Sequence, residues 1–522
     1  MRAVILFLSA ILIVSCADAS TTNTFAFEEA TVTELQVKMQ AGELTAVALT
    51  TAYLDRIKEL DQSEGGVHSI IEINPDALAI AAKLDTERAS GAVRGPLHGI
   101  PIVIKDNIDT GDQMLTTAGS LALTFAPALD DAFIVKQLRE AGAIILGKTN
   151  LSEWANFRST RSSSGWSGRG GQTRNPYVLD RSPCGSSSGS GAAVSANFAT
   201  IAIGTETNGS VVCPSSTNGV VGIKPTVGLV SRDGIIPISE TQDTAGPMAR
   251  SVADAAMLLT VMAGVDQNDA KTLESAARAG IDYAQFLRKE GLEGKRIGIL
   301  KGTFGNHERV DSVLQAAVEA LEKAGATVIT DIELPERNAI GRSGYELMLY
   351  EYKAGLNAYF ASRPDSPIKT IEDLIAFNKE NAESEMPFFG QEHLEKAAEK
   401  GDLTEAAYLE ALEKVTVNAR AAVDNALKKD NLDAIMGVTG GPAWTIDVIN
   451  GDHYGMGSSS PAAQSGYPNI TVPAGFVGEL PVGVSFFAGA YSEPELISIA
   501  FAFEQATKAR KAPKFLTSLP TE

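Results

Sequence analysis

Two glycine- and serine-rich stretches, Gly185-Ser-Ser-Ser-Gly-Ser-Gly191 and Gly204-Thr-Glu-Thr-Asn-Gly-Ser210, follow a lysine that closes the run Gly-Ile-Pro-Ile-Val-Ile-Lys105-Asp. These residue types suffice for a serine hydrolase that uses no histidine. A serine hydroxyl attacks well only when a neighbouring base takes its proton, and a lysine serves as that base only when neutral. Ile102, Val103 and Ile104 read as a buried strand ending at Lys105, a setting in which desolvation pushes an ammonium pKa down.

The elements that must position these groups are legible around them. Residues 192–203 are small and apolar and read as a helix leading into a short buried strand. That places Ser186 at a helix N-terminus and Ser210 just beyond a strand. Gly204 and Gly209 let the backbone turn sharply, so that successive N–H groups point at one spot and form an oxyanion hole. The same residues support blander readings. A Gly/Ser cluster alone reads as a flexible loop, and Lys105 alone as a strand-end lysine reaching for solvent. Gly185-Ser-Ser187-Ser-Gly189 also fits the nucleophile elbow of α/β-hydrolases, with Ser187 as nucleophile and a later Asp and His. The histidines after it, His307, His393 and His453, sit in polar surroundings typical of a surface. A phosphate loop fails because no Gly-Lys-Ser/Thr follows the glycines.

With Gly-Val-Val-Gly-Ile-Lys224-Pro-Thr added to these segments, the chain resembles the amidase signature family, the Ser–cis-Ser–Lys hydrolases. The separation of Ser186 and Ser210, 210 − 186 = 24, matches that family's spacing. The resemblance implies Ser210 as nucleophile, Ser186 after a cis peptide as proton relay, and neutral Lys105 as base. It also implies an oxyanion hole from the N–H groups of Thr207, Asn208, Gly209 and Ser210, with no cofactor. The likeness is nearest to enzymes that remove the C-terminal amide of peptides, and it extends through 147–157, 169–176, 227–237 and 242–250. Asn208 stands where the family more often has Gly or Asp, and Ser215-Ser216 where Ala is commoner. The implied fold is α/β: a large mixed β-sheet covered by helices on both faces, forming one domain over 20–522 with a mainly helical insertion around 340–430.

Residues 1–19 read differently from the rest. Met1-Arg2 precedes an apolar run from Ala3 to Val14, too short for a membrane span and suited to an export signal. Ile13-Val-Ser-Cys16 resembles a lipobox that would make Cys16 the lipidated residue, and Ala17-Asp-Ala19 offers an ordinary cleavage site. The expected location is therefore the periplasm or cell envelope, with the membrane as a partner only through that anchor. Cys184 and Cys213 flank the serines; their number permits a disulfide in an oxidising compartment, but they are expected to be small buried thiols, since a bridge would constrain loops that must position Ser186 and Ser210. No cluster of His, Cys and carboxylates has metal-ligand spacing, so no metal is expected. A net charge of −20 argues against nucleic acid as a partner and favours neutral or cationic substrates over anionic ones.

Further elements follow by pattern. Thr31-Val-Thr-Glu34 is a capping box opening a helix that uses Leu35, Val37 and Met39 as apolar groups. Residues 296–300, 313–323 and 326–330 read as a strand-helix-strand unit with parallel strands. Strands are also expected over 143–146, 434–436, 469–472 and 482–487. Ser187, Trp154 and Trp166 are candidate substrate contacts, the two tryptophans as pocket walls with a packing role as the alternative. Phe360, Phe377, Phe388 and Phe389 in the helical insertion read as core, with a substrate entrance as the alternative.

Overall fold

The computed structural model describes residues 25–520; the export segment and Cys16 lie outside them. Eleven strands form one mixed sheet and two form a small hairpin. In chain order they are β1 (Ile70–Ile73), β2 (Pro101–Lys105), β3 (Ile144–Thr149), the hairpin pair β4 (Trp166–Ser167) and β5 (Gly171–Gln172), β6 (Ile201–Glu206), β7 (Val221–Lys224) and β8 (Thr244–Ala249). They continue with β9 (Arg296–Leu300), β10 (Thr327–Ile332), β11 (Ala434–Val438), β12 (Asn469–Val477) and β13 (Leu480–Phe487). The large sheet runs β1-β3-β2-β6-β8-β7-β12-β13-β11-β9-β10. The expected α/β fold with a large mixed sheet is the observed one.

The position of β2 explains its sequence. It lies between β3 and β6, parallel to both, and all five of its residues are buried. A strand covered on both faces reads as a continuous apolar run, which is why Ile102-Val-Ile104 shows no alternation. The one polar side chain at its end, Lys105, is buried with it. β6 is buried along its whole length and pairs antiparallel with β8. The 296–330 unit has parallel strands, as expected, with the helix Glu308–Lys323 between them.

Two local expectations need adjustment. Thr31 and Glu34 form the capping box of the helix Val32–Gln40 reciprocally, but of the three expected apolar groups only Leu35 and Met39 face the core, together with Val32, while Val37 is exposed. The helical period puts 35 and 39 on one face and 37 opposite. The second concerns the cysteines: Cys184 and Cys213 are joined in a disulfide, with Cα atoms 6.0 Å apart, not held as separate thiols. Side chains from 217 and 218 converge on the Pro183 carbonyl and draw the two segments to bridging distance.

Residues 337–430 supply the expected helices, of which Arg337–Ala361 is the longest. Leu349, Tyr352, Leu356 and Phe360 from that helix pack with Trp154, Ile236 and Leu394 in one apolar cluster. Phe360 and Phe389 are buried, whereas Phe388 is exposed.

Candidate active site

Lys105 leaves the end of β2 and points its Nζ at three oxygens. These are Ser186 Oγ at 2.7 Å, Thr205 Oγ1 at 2.8 Å and the Thr205 carbonyl at 3.2 Å. Asn107 Nδ2 also donates to Thr205 Oγ1, at 3.0 Å. Burial lowers the lysine pKa to about 7, against the opposing pull of Asp243 and Glu206. A neutral amine has two N–H donors and one lone pair. With the donors on the two Thr205 oxygens, the lone pair is left facing the Ser186 hydroxyl.

Low pKa alone does not single out this lysine. Burial also lowers Lys224, to about 8, and Lys148. Their amines are occupied elsewhere: Lys224 donates to the Tyr467 and Pro225 carbonyls, and Lys148 to the Ile108 carbonyl and Thr116 Oγ1. Lys105 is the one of the three that meets a serine.

The peptide bond before Ser186 is cis, and the helix Ser188–Ser195 begins two residues later. A Cβ on Gly185 would run into Ser152 Oγ, so only glycine fits there. The N–H of Ser187 donates to the Ser210 carbonyl at 3.1 Å, which brings the two serine segments together.

Beyond β6 the chain turns through Thr207, Asn208, Gly209 (φ 88°) and Ser210. A positive φ of that size is natural to glycine and strained for other residues. The carboxylate of Glu206 accepts from the N–H groups of Val211 and Val212 at 2.8 and 3.0 Å, closing the far side of the turn. Thr207 Oγ1 donates to Asp243, and Asn208 is held by Ser459 and Ser460. The four backbone N–H groups from Thr207 to Ser210 donate to no acceptor among the described residues. Solvent reaches the turn at Asn208, which is exposed, and only marginally at Ser210.

The three candidate substrate contacts fall differently. Ser187 Oγ donates to the Thr205 carbonyl and accepts from its N–H, bracing β6. Trp154 is buried edge-on against Phe360, and Trp166 against Phe388, Phe389 and the Arg158 guanidinium. The helical insertion instead contributes Glu351, Gly355 and Tyr359 to a cavity of about 880 Å³ that reaches Asn107, Thr205 and Thr207. Ser186, Ser210 and the two tryptophans do not line it.

The elbow alternative lacks its base. His393 is stacked on Phe157 and bonded to Tyr345, His453 is paired with Asp447 at the surface, and His307 is exposed. Asn107, Thr205, Asp243 and Ser459 complete the site without having been singled out in the sequence. Thr205 stood inside a recognised segment and Asn107 directly after one, but nothing local marks Ser459, 251 residues from its partner Asn208.

Comparison with known proteins converges on one group. The family described as Amidase matches residues 48–497. The native peptide amidase of Stenotrophomonas maltophilia superposes with a TM-score of 0.91 at 51% identity, over 94% of this chain and 99% of that one. A probable amidase of Arabidopsis thaliana is 42% identical over 98% of this chain and 97% of its own length. A putative amidase of Schizosaccharomyces pombe is 37% identical over 95% of this chain and 90% of its own length.

Proposed function

Because the chain belongs to the amidase family and is an amidase, we propose that it hydrolyses primary carboxamides, above all the C-terminal amide of peptides, and releases ammonia. Ser210 attacks the amide carbon while its proton passes through Ser186 to neutral Lys105. The negative oxygen of the tetrahedral intermediate is held by the N–H groups of Thr207, Asn208, Gly209 and Ser210, donors of the kind whose single loss costs about 10²–10³ in rate. The protonated lysine returns the proton through Ser186 to the leaving nitrogen, ammonia departs, and water clears the acyl-enzyme by the same path in reverse. The observation that carries this reading is the 2.7 Å contact of Lys105 with Ser186, beside a turn of unengaged N–H groups that ends at Ser210.

The peptide-amide preference is supported by the 51% identity to a peptide amidase over nearly the whole chain. The test is a panel of short C-terminally amidated peptides and simple aliphatic and aromatic amides, assayed for ammonia with protein lacking residues 1–19. Turnover of the peptide amides well above the simple ones is the expected result. The reverse order leaves the chemistry standing and removes the peptide preference.

The location proposed is outside the cytoplasm, by way of residues 1–19, with a lipid anchor at Cys16. The disulfide supports it, since such bonds persist in oxidising compartments. A Cys16→Ser variant should leave the membrane fraction; one that stays there removes the anchor.

A further inference from the structure

We infer that the Cys184–Cys213 disulfide positions the catalytic residues, holding the relay serine against Lys105 and the nucleophile turn. The inference rests on the roles just proposed for Ser186, Ser210 and Lys105.

Each half of the bridge is attached to one serine. Cys184 stands two residues before Ser186, with a left-handed backbone (φ 56°) that a residue other than glycine adopts only at a cost. Its carbonyl accepts from Ser188 Oγ at 2.6 Å, at the start of the helix that follows Ser186. Cys213 stands three residues after Ser210, and its N–H donates to the Gly209 carbonyl at 2.8 Å, inside the oxyanion turn. The bond therefore joins the two segments on the outer side, while the Ser187 N–H to Ser210 carbonyl contact joins them on the inner side. The remaining tie between these segments is at Pro183, whose carbonyl accepts from Thr217 and Asn218. It anchors the chain upstream of Cys184, where the Cys184 N–H also donates to Ser182 Oγ at 3.1 Å; downstream the Ser186 carbonyl accepts from the Ser152 N–H at 3.1 Å, and the bridge fixes the stretch between these contacts against the nucleophile turn.

The consequence reaches Lys105. Its amine, fully buried, meets Ser186 Oγ and two Thr205 oxygens. The charged groups facing it are Glu206 from β6 and Asp243 from the segment before β8. If residues 184–186 drift, the amine loses its serine and gains water, and its pKa returns toward that of an ordinary lysine. The bridge is buried on both sides, so it acts as a fixed brace.

The test compares oxidised full-length mature protein with the Cys184→Ala/Cys213→Ala double variant, using the amide substrate turned over fastest and Ser210→Ala as control. The expected result is a fall in kcat of tenfold or more with KM within twofold, and an acid limb of kcat/KM displaced upward by about one pH unit. As a second route, wild-type protein is reduced with dithiothreitol, its free thiols are counted, and it is then reoxidised. Activity should fall and return with the bond. A variant or fully reduced protein that melts earlier but keeps kcat and its acid limb overturns the inference, because the bond is then only a stabiliser. Retained activity in Ser210→Ala would instead bring down the catalytic reading itself.

Discussion

In the proposed mechanism Lys105 acts as a base at neutral pH because of where its amine ends. With a pKa near 7, about half the enzyme carries the neutral form at that pH. A base with this pKa gives activity that rises with pH through the same value, so kcat/KM should show an acid limb near pH 7. Removing the amine in Lys105→Ala should lower kcat/KM by about 10²–10⁴, the range for a lost general base, and should abolish the limb. Thr205→Val deletes the oxygen that accepts from both Lys105 and Asn107. The loss of one such contact predicts about a tenfold drop in kcat, readable by steady-state kinetics. Unchanged kinetics in Thr205→Val would show that Ser186 and the carbonyl of residue 205 suffice to orient the amine.

At the scale of elements, the site is a meeting of strand ends with tight turns. β2 delivers Lys105, β6 delivers Thr205 and then the oxyanion turn, and the helix after Ser186 fixes the relay segment. Gly209→Ala tests the turn. Its φ of 88° is strained for alanine, and the new Cβ would lie 3.1 Å from Ser459 Oγ. The variant should fold with near-native circular dichroism and lose kcat by about tenfold or more, since a displaced N–H no longer meets the oxyanion. The bridge makes a separate contribution to stability. Cysteines 29 residues apart restrict the unfolded chain enough to predict about 3–4 kcal/mol, measurable by denaturant unfolding of the double variant.

Over the whole molecule, the segments that meet at the proposed site were legible in the sequence because each is local. Ile102-Val-Ile104 betrays a strand buried on both faces, and the glycines at 185, 204 and 209 mark places where a side chain has no room or φ is positive. The contacts that complete the site join distant segments and leave no local trace. Ser459 and Ser460 hold Asn208, Glu351 of the helical insertion holds Ser239, and Cys184 meets Cys213. The expectation of free thiols failed for the same reason: sequence separation says nothing of how the side chains at 217 and 218 draw the two segments together. For Trp154 and Trp166 the packing alternative holds, but their partners in the insertion were not readable, because they depend on the path of residues 337–398. Net charge does act at this scale. At −20 the molecule should take up cationic peptide amides with lower KM than anionic ones of equal length at low salt. The ratio should shrink as ionic strength rises past about 0.1 M, where screening acts within about 10 Å. A ratio indifferent to salt would assign selectivity to contacts in the cleft.

The central claim is that Ser210 forms an acyl-enzyme with Ser186 and Lys105 as its proton path. Its most direct measurement is rapid-quench mass spectrometry during turnover of an amidated peptide, with wild type, Ser210→Ala and Lys105→Ala side by side. The account predicts an acyl adduct on a wild-type peptide containing Ser210, no adduct and no ammonia from Ser210→Ala, and greatly slowed adduct formation in Lys105→Ala. An adduct on Ser186 or Ser187, or ammonia release persisting in Ser210→Ala, would contradict it.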